Sequence, residues 1–275
     1  MGQGTFGAVF RGRWKSKGFD VALKKVNCTP DASDAQIMME LGKHPNIIAF
    51  YGFAYNYPET IIVTALAQKG SLYDLLHIRK EKPTEQQSLT WAEQIAYGMA
   101  YMHERDVVHR DLKSSNVLFS GNMVAQVCDF GTARILKETT IASKVAGTPR
   151  WMAPEVAQDD AINKQCDVFS FSIIVWELME HKIPFPDART NYLVTKAIID
   201  GERPSISAQW PAYLSSLTQA CWAPAPNDRP KFSDIITHGI ESNSRVFGEW
   251  ICSCGSLLEE DLVCFFSFPV SGMYC

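Results

Sequence analysis

The chain has 275 residues, 46% of them hydrophobic and 20% charged, which fits a soluble globular protein built as one domain or two lobes. Its formal net charge of −4 leaves no basic surplus, which argues against nucleic acid or an anionic membrane as the main partner. Of its 8 cysteines, Cys252, Cys254, Cys264 and Cys275 crowd the last stretch, and Cys28, Cys128, Cys166 and Cys221 are scattered; this is neither a disulfide framework nor a zinc signature, so reduced thiols and a cytoplasmic or nuclear compartment are expected.

The chain opens without a charged-then-apolar leader, so no secretory signal is expected. It begins with Gly2-Gln3-Gly4-Thr5-Phe6-Gly7, a G-x-G-x-x-G run. Alone that pattern is weak, because two unrelated nucleotide folds use it and an ordinary glycine-rich turn reads equally well. In the dinucleotide-binding form a helix follows the glycines. Here residues 9–14 alternate as a strand does, which favours a hairpin whose glycine tip covers phosphates. Val21-Ala22-Leu23-Lys24 is a second apolar strand ending in a lysine.

After a loop at Thr29-Pro30, residues 34–43 place Ile37, Met38 and Leu41 on one face, at helical period. Residues 47–55 and 60–66 read as strands. Lys69-Gly70-Ser71 breaks that pattern, starts a short helix and marks a lobe boundary. A long helix is predicted over 84–104, with Trp91, Ile95, Gly98, Met99 and Met102 as its core stripe.

Residues 109–131 carry the densest chemistry. His109-Arg110-Asp111-Leu112-Lys113-Ser114-Ser115-Asn116 leads into an apolar strand at 117–119, a turn at Gly121-Asn122 and a second strand at 124–128. Asp129-Phe130-Gly131 follows. Two acids and an amide thus stand at the ends of a hairpin, a way to hold a divalent metal beside a proton acceptor. Residues 132–146 are polar and rich in hydroxyls, and lead to Gly147-Thr148-Pro149-Arg150-Trp151-Met152-Ala153-Pro154-Glu155. Cys166-Asp167 and the residues up to 171 lead an all-round apolar helix, 172–180, which belongs in the middle of a domain. Further helices are predicted over 190–199, 213–221 and 232–240. From Glu241 onward there is no clear period, and that stretch either packs loosely or is disordered. No apolar run approaches the roughly 20 residues of a membrane helix.

In this order and at these spacings, the glycine run, Lys24, the 109–131 block and Ala153-Pro154-Glu155 resemble the protein kinases over residues 2–240. The resemblance implies an α+β, two-lobed fold. A small antiparallel β-sheet lobe with one long helix would span 1–66, its first strand cut short at Met1. A larger, mainly helical lobe would span 67–240, with 241–275 unassigned. ATP and Mg²⁺ are the implied cofactors. Asp111 would accept or orient the substrate hydroxyl, Lys113 would lie near the transferred phosphate, and Lys24 would hold the phosphates. Gly2, Gly4, Gly7, Val9, Ala22, Thr64, Ala65, Ala67 and Leu118 would line the ATP site, and Asn116 and Asp129 would bind the metal. Asp34 matches the acid that pairs with the strand lysine, although the family has a glutamate there. A helix N-cap is its equal alternative, and Glu40 is the other acid nearby. Asp167 would clamp the catalytic loop, Arg229 would pair with Glu155, and Phe130, His109 and Met38 would form a column joining the lobes. Cys128 would face the nucleotide, as either a reactive or a buried, inert thiol.

Lys113 and Gly147-Thr148 look like serine/threonine kinases. The run 129–155, Gly70-Ser71-Leu72-Tyr73-Asp74 and Cys221-Trp222 are similar to the mixed-lineage kinases. Those act as MAP kinase kinase kinases, so MAP kinase kinases are the implied protein substrates and stress signalling the implied context. Thr139, Thr140 and Ser143 would be regulatory phosphosites that pair with Arg110. No oligomeric state is implied. The alternative is a weakly active or inactive kinase-fold binding protein, motivated by Asp34, the short first strand and the tail. Lys24, Asp111, Asn116 and Asp129, all intact, stand against it.

Overall fold

Alternating apolar and polar residues after Gly7 build an antiparallel sheet. The computed structural model describes residues 3–4, 7–27, 33–56, 59–136, 140–141 and 147–240. β1 (Gln3–Gly4) and β2 (Gly7–Trp14) form a hairpin that pairs Gly4 with Gly7. β2 then runs against β3 (Phe19–Asn27). A strand after Gly7, where the dinucleotide fold has a helix, removes that alternative. α1 (Ser33–Leu41) buries Ile37, Met38 and Leu41 as its period required. β4 (Phe50–Asn56) and β5 (Glu59–Ala65) complete a sheet in the order β1-β2-β3-β5-β4. The strand expected from residue 47 starts at Phe50. Ile47 instead bridges to Val127.

A turn of wide helix, Asp74–Ile78, opens the larger, helical lobe. α2 (Glu85–Glu104) starts at an N-cap, Thr84, whose hydroxyl accepts from the Gln87 N–H while the Gln87 side chain accepts from the Thr84 N–H. Its stripe of Trp91, Ile95, Gly98, Met99 and Met102 is buried. Gly98 admits a close approach: a Cβ there would stand 2.7 Å from the Asn46 carbonyl oxygen.

Beyond α2, β6 (Val107–Val108) precedes a hairpin of β7 (Val117–Phe119) and β8 (Ala125–Val127), and pairs with β9 (Arg134–Ile135). The hairpin is held from both sides. Val127 exchanges backbone hydrogen bonds with Asn46 and Ile48 at 2.9 Å each, and the Trp91 indole donates to Met123 O at 3.1 Å. β10 (Thr140–Ile141) pairs with β11 (Ala161–Ile162), and α3 (Pro154–Ala157) lies between them in the chain.

α4 (Gln165–Glu180) is the buried axis of the large lobe and starts well before the predicted 172. A buried acid, Asp167, sits in its first turn and masks the apolar pattern that otherwise marks a central helix. α5 (Asn191–Ile199), capped by Thr190, and α6 (Ala212–Cys221) follow. The last helical stretch, Phe232–Asp234, widens into Ile235–Ile240. No helix among the described residues is long and apolar enough to cross a membrane.

The expected Glu155–Arg229 pair forms. The Arg229 guanidinium makes a fork onto Glu155 at 2.6 and 2.9 Å, and it also donates to the carbonyls of Ala223, Pro224 and Gln165. Its side chain is fully buried. Removing one partner of such a pair strands a buried charge. Arg229→Ala is therefore expected to lower unfolding free energy in urea by about 3–5 kcal/mol. Arg229→Lys should recover little of it, because an ammonium cannot reproduce the fork.

Candidate functional site

The site starts from a strained backbone. Arg110 sits at φ +69 and Asp129 at φ +66, a region that costs a non-glycine residue roughly 1–3 kcal/mol. Asp167, wholly buried in α4, offsets the first. Its carboxylate accepts from the His109 N–H at 2.8 Å and the Arg110 N–H at 2.9 Å, and lies 2.9 Å from His103 Nε2. Burial pushes the Asp167 carboxyl up, but His103 and His109 outweigh it through hydrogen bonds and charge, and hold it below its ordinary 3.8.

With the loop so held, Asp111 projects into a tight polar cluster. Lys113 Nζ donates to Asp111 Oδ2 at 2.6 Å and to Thr148 Oγ1 at 2.6 Å, and Thr148 Oγ1 donates to Asp111 Oδ1 at 2.9 Å. The Asn116 amide donates to Asp111 O at 2.8 Å. Thr148 was not singled out as a site residue from sequence, although Gly147-Thr148 was part of the motif. Gly147 sits at φ +127, and a Cβ there would stand 3.0 Å from the Arg110 carbonyl, so glycine lets the two segments meet. Thr132 was missed too; its hydroxyl donates to His109 O at 3.0 Å and fixes the turn after Asp129.

Asp129 leads off the second strand of the hairpin and accepts from Lys24 Nζ at 2.7 Å. Burial raises the Asp129 carboxyl, but the Lys24 charge and hydrogen bond win and hold it below its usual range. Lys24, the small-lobe lysine, and Asp129, the large-lobe acid, thus meet across the lobes. The His109 and Phe130 rings lie 5.7 Å apart, and Phe130 belongs to the same buried core as Met38. Val9 pairs with Lys24 across β2 and β3, and Ala22 pairs with Thr64 across β3 and β5, so these and Ala65 share one sheet. Ala67 and Leu118 are half-buried, and Leu118 bridges to Ser71.

Gly4 and Gly7 pair across β1 and β2, while Gly2 lies outside the described residues. So do Thr139, Ser143 and the side chains of Thr140 and Asp34, although Thr140 belongs to β10 and Asp34 to α1. Glu40 is exposed and accepts from Gln36 at 3.1 Å. Cys128 is buried, and burial, then the Asp129 charge, pushes its thiol far up. Of its two readings the inert thiol fits.

A family model for protein tyrosine and serine/threonine kinases matches residues 1–238. The mitogen-activated protein kinase kinase kinase zak-1 of Caenorhabditis elegans is 36% identical over 90% of this chain, and the serine/threonine-protein kinase CTR1 of Arabidopsis thaliana 37% over 86%. Mitogen-activated protein kinase kinase kinase 12 of Rattus norvegicus is 34% identical over 86% of the chain. The matches cover 35%, 30% and 26% of these relatives' own lengths, so the chain spans about a third of each or less.

The Asp167 clamp has a pH signature. Its folded pKa lies below its unfolded one, so the stability it contributes is full above about pH 4 and is lost as pH falls through the folded value. Asp167→Asn should lower unfolding free energy at pH 7 by about 2–4 kcal/mol, because two backbone donors lose a charged acceptor. Urea titrations from pH 7 to pH 3 should show the gap to the native chain closing at the acid end.

Proposed function

The chain belongs to the protein tyrosine and serine/threonine kinase family, and from that premise we propose that it transfers the γ-phosphate of ATP to a serine or threonine hydroxyl of a protein substrate. The Asp111–Lys113–Thr148 cluster carries this reading. A carboxylate within hydrogen-bond reach of an incoming hydroxyl accepts its proton or orients its lone pair. Lys113, beside that carboxylate, puts positive charge where phosphoryl charge develops. Thr148 ties the catalytic loop to the segment on which an acceptor peptide would lie.

The donor set fits Mg²⁺. Asp129 is kept ionised, and Asn116 spends its NH₂ on Asp111 O, which leaves its amide oxygen as a hard donor. When bound, Mg²⁺ neutralises charge on the β- and γ-phosphates. Lys24, already next to Asp129, would hold the phosphates at the same place.

We place the chain among the MAP kinase kinase kinases, acting on MAP kinase kinases in stress signalling. The names of zak-1 and of mitogen-activated protein kinase kinase kinase 12 support this. The free thiols of Cys128, Cys166 and Cys221 support a reducing, cytoplasmic setting. Arg110 supports control by phosphorylation at Thr139, Thr140 or Ser143. Burial and then the nearby Arg134 charge lower its pKa, so a dianionic phosphate beside the two guanidinium groups would relieve their repulsion.

With Mg-ATP and a MAP kinase kinase or a generic protein acceptor, the native chain should transfer phosphate. Asp111→Asn should cut the rate by about 10²–10⁴-fold while keeping ATP affinity, and Asp129→Ala should also lose the magnesium-dependent gain in ATP affinity. A native chain that binds Mg-ATP but phosphorylates no acceptor would sink the proposal. Mass mapping after incubation with Mg-ATP should place phosphate on Thr139, Thr140 or Ser143, and an active enzyme left unmodified there would remove the regulatory reading.

A further inference from the structure

Glu177 lies in the last turn of α4, fully buried in a helix whose neighbouring positions are almost all apolar core. A lone carboxylate there is unfavourable, because burial strips its water and pushes its pKa up. It is held by three polar partners from three separate segments. His77 Nε2 lies 2.8 Å and Ser114 Oγ 2.9 Å from Oε1, and Trp151 Nε1 donates to Oε2 at 2.6 Å. Ser114 and Trp151 are themselves buried. Both donate to the carboxylate, and the His77 ring nitrogen completes a set of three partners on its two oxygens.

The three segments are the ones phosphotransfer needs in register. Ser114 stands between Lys113 and Asn116. Trp151 closes the short helix Pro149–Trp151, which directly follows Thr148, the partner of Asp111 and Lys113. His77 belongs to Asp74–Ile78, the wide helix that follows the chain's crossing from the small lobe, and its ring packs on Tyr73 at 4.8 Å between centroids. Asp167, ten residues earlier on the same helix, holds His109 and Arg110. The stretch 109–114 is therefore pinned at both ends to one rigid element, with Asp111 between the pins.

We propose that Glu177 is a positioning residue: through one carboxylate it sets the catalytic loop and the Thr148 segment in mutual register and couples both to the His77 helix. The catalytic consequence rests on the phosphotransfer reading; the coupling does not. A change that moves His77, such as a partner pressing on Asp74–Ile78, would be felt at Ser114 and Trp151 without touching ATP.

The test combines steady-state kinetics with hydrogen–deuterium exchange on the native chain, Glu177→Gln, Ser114→Ala and His77→Phe. Glutamine keeps the shape but turns one acceptor into a donor that faces another donor. Glu177→Gln and Ser114→Ala should lower kcat about 10-fold or more, with KM for ATP within about twofold. Ser114→Ala combined with His77→Phe should cost about as much as the worse single change, because both act through one carboxylate. His77→Phe should raise exchange about fivefold at amides 114–116 and 150–152, which is local loosening and not global unfolding. An unchanged kcat in folded Ser114→Ala, additive losses, or exchange changes confined to 73–80 would each overturn the assignment. Should Glu177→Gln fail to fold, the other two variants decide. Should the native chain transfer no phosphate, the functional reading falls and the exchange result still decides the coupling.

Discussion

A carboxylate sealed inside a protein keeps its charge only if donors surround it, and Asp167 meets that condition with the backbone of the segment it serves. Two main-chain N–H groups and an imidazole are its solvation shell. The bargain is reciprocal. The acid stays ionised, and Arg110 is held in a left-handed conformation it would otherwise leave. Arg110 in that conformation turns the next residue, Asp111, toward Thr148 and Lys113. Because α4 is buried on nearly every side, the anchor cannot drift relative to the core.

The second half of the site is held by a different kind of contact. The β7–β8 hairpin is bonded through Val127 to Asn46 and Ile48, the link between α1 and β4. That link comes close only because Gly98 leaves room for the Asn46 carbonyl. The ribbon that carries Asn116 and Asp129 is thus wedged between the lobes. Lys24 reaches Asp129 from the small lobe, so a lysine that would be a solvated strand end in isolation becomes one side of a charged cleft. Both side chains are only partly buried, and it is the Lys24 charge and hydrogen bond, set against burial, that hold the Asp129 carboxyl below its usual range.

Much of this was legible from residues alone, for identifiable reasons. The α2 stripe, the Thr84 start, the β2 alternation and the apolar pair of β7 and β8 are local patterns with one dominant period each. Asp111, Lys113, Asn116 and Asp129 sit within one short block, so spacing alone brings them near each other. Failures came where a pattern was interrupted by a group whose purpose is tertiary. Asp167 hid the start of α4, and Ile47 looked like strand because it is apolar, although its partner is the distant Val127. Thr148 read only as part of a motif that marks serine/threonine kinases, with nothing local to say that its hydroxyl meets Asp111 and Lys113.

While the two-lobed architecture comes from the family resemblance, from the amino-acid order alone one learns the main helices and strands and the residues able to bear charge in the site. These depend on contacts within a few turns or strands of chain, where side-chain type and spacing leave few alternatives. Beyond the Glu155–Arg229 pair and the Asp167 clamp, which partner each charge takes was decided only in three dimensions. That Lys24 meets Asp129, that Thr148 bridges Asp111 and Lys113, and that Glu177 gathers His77, Ser114 and Trp151 all join residues remote in the chain. Such pairings depend on how far burial removes competing water and on which backbones pack closely enough to meet, and neither is written in any local stretch.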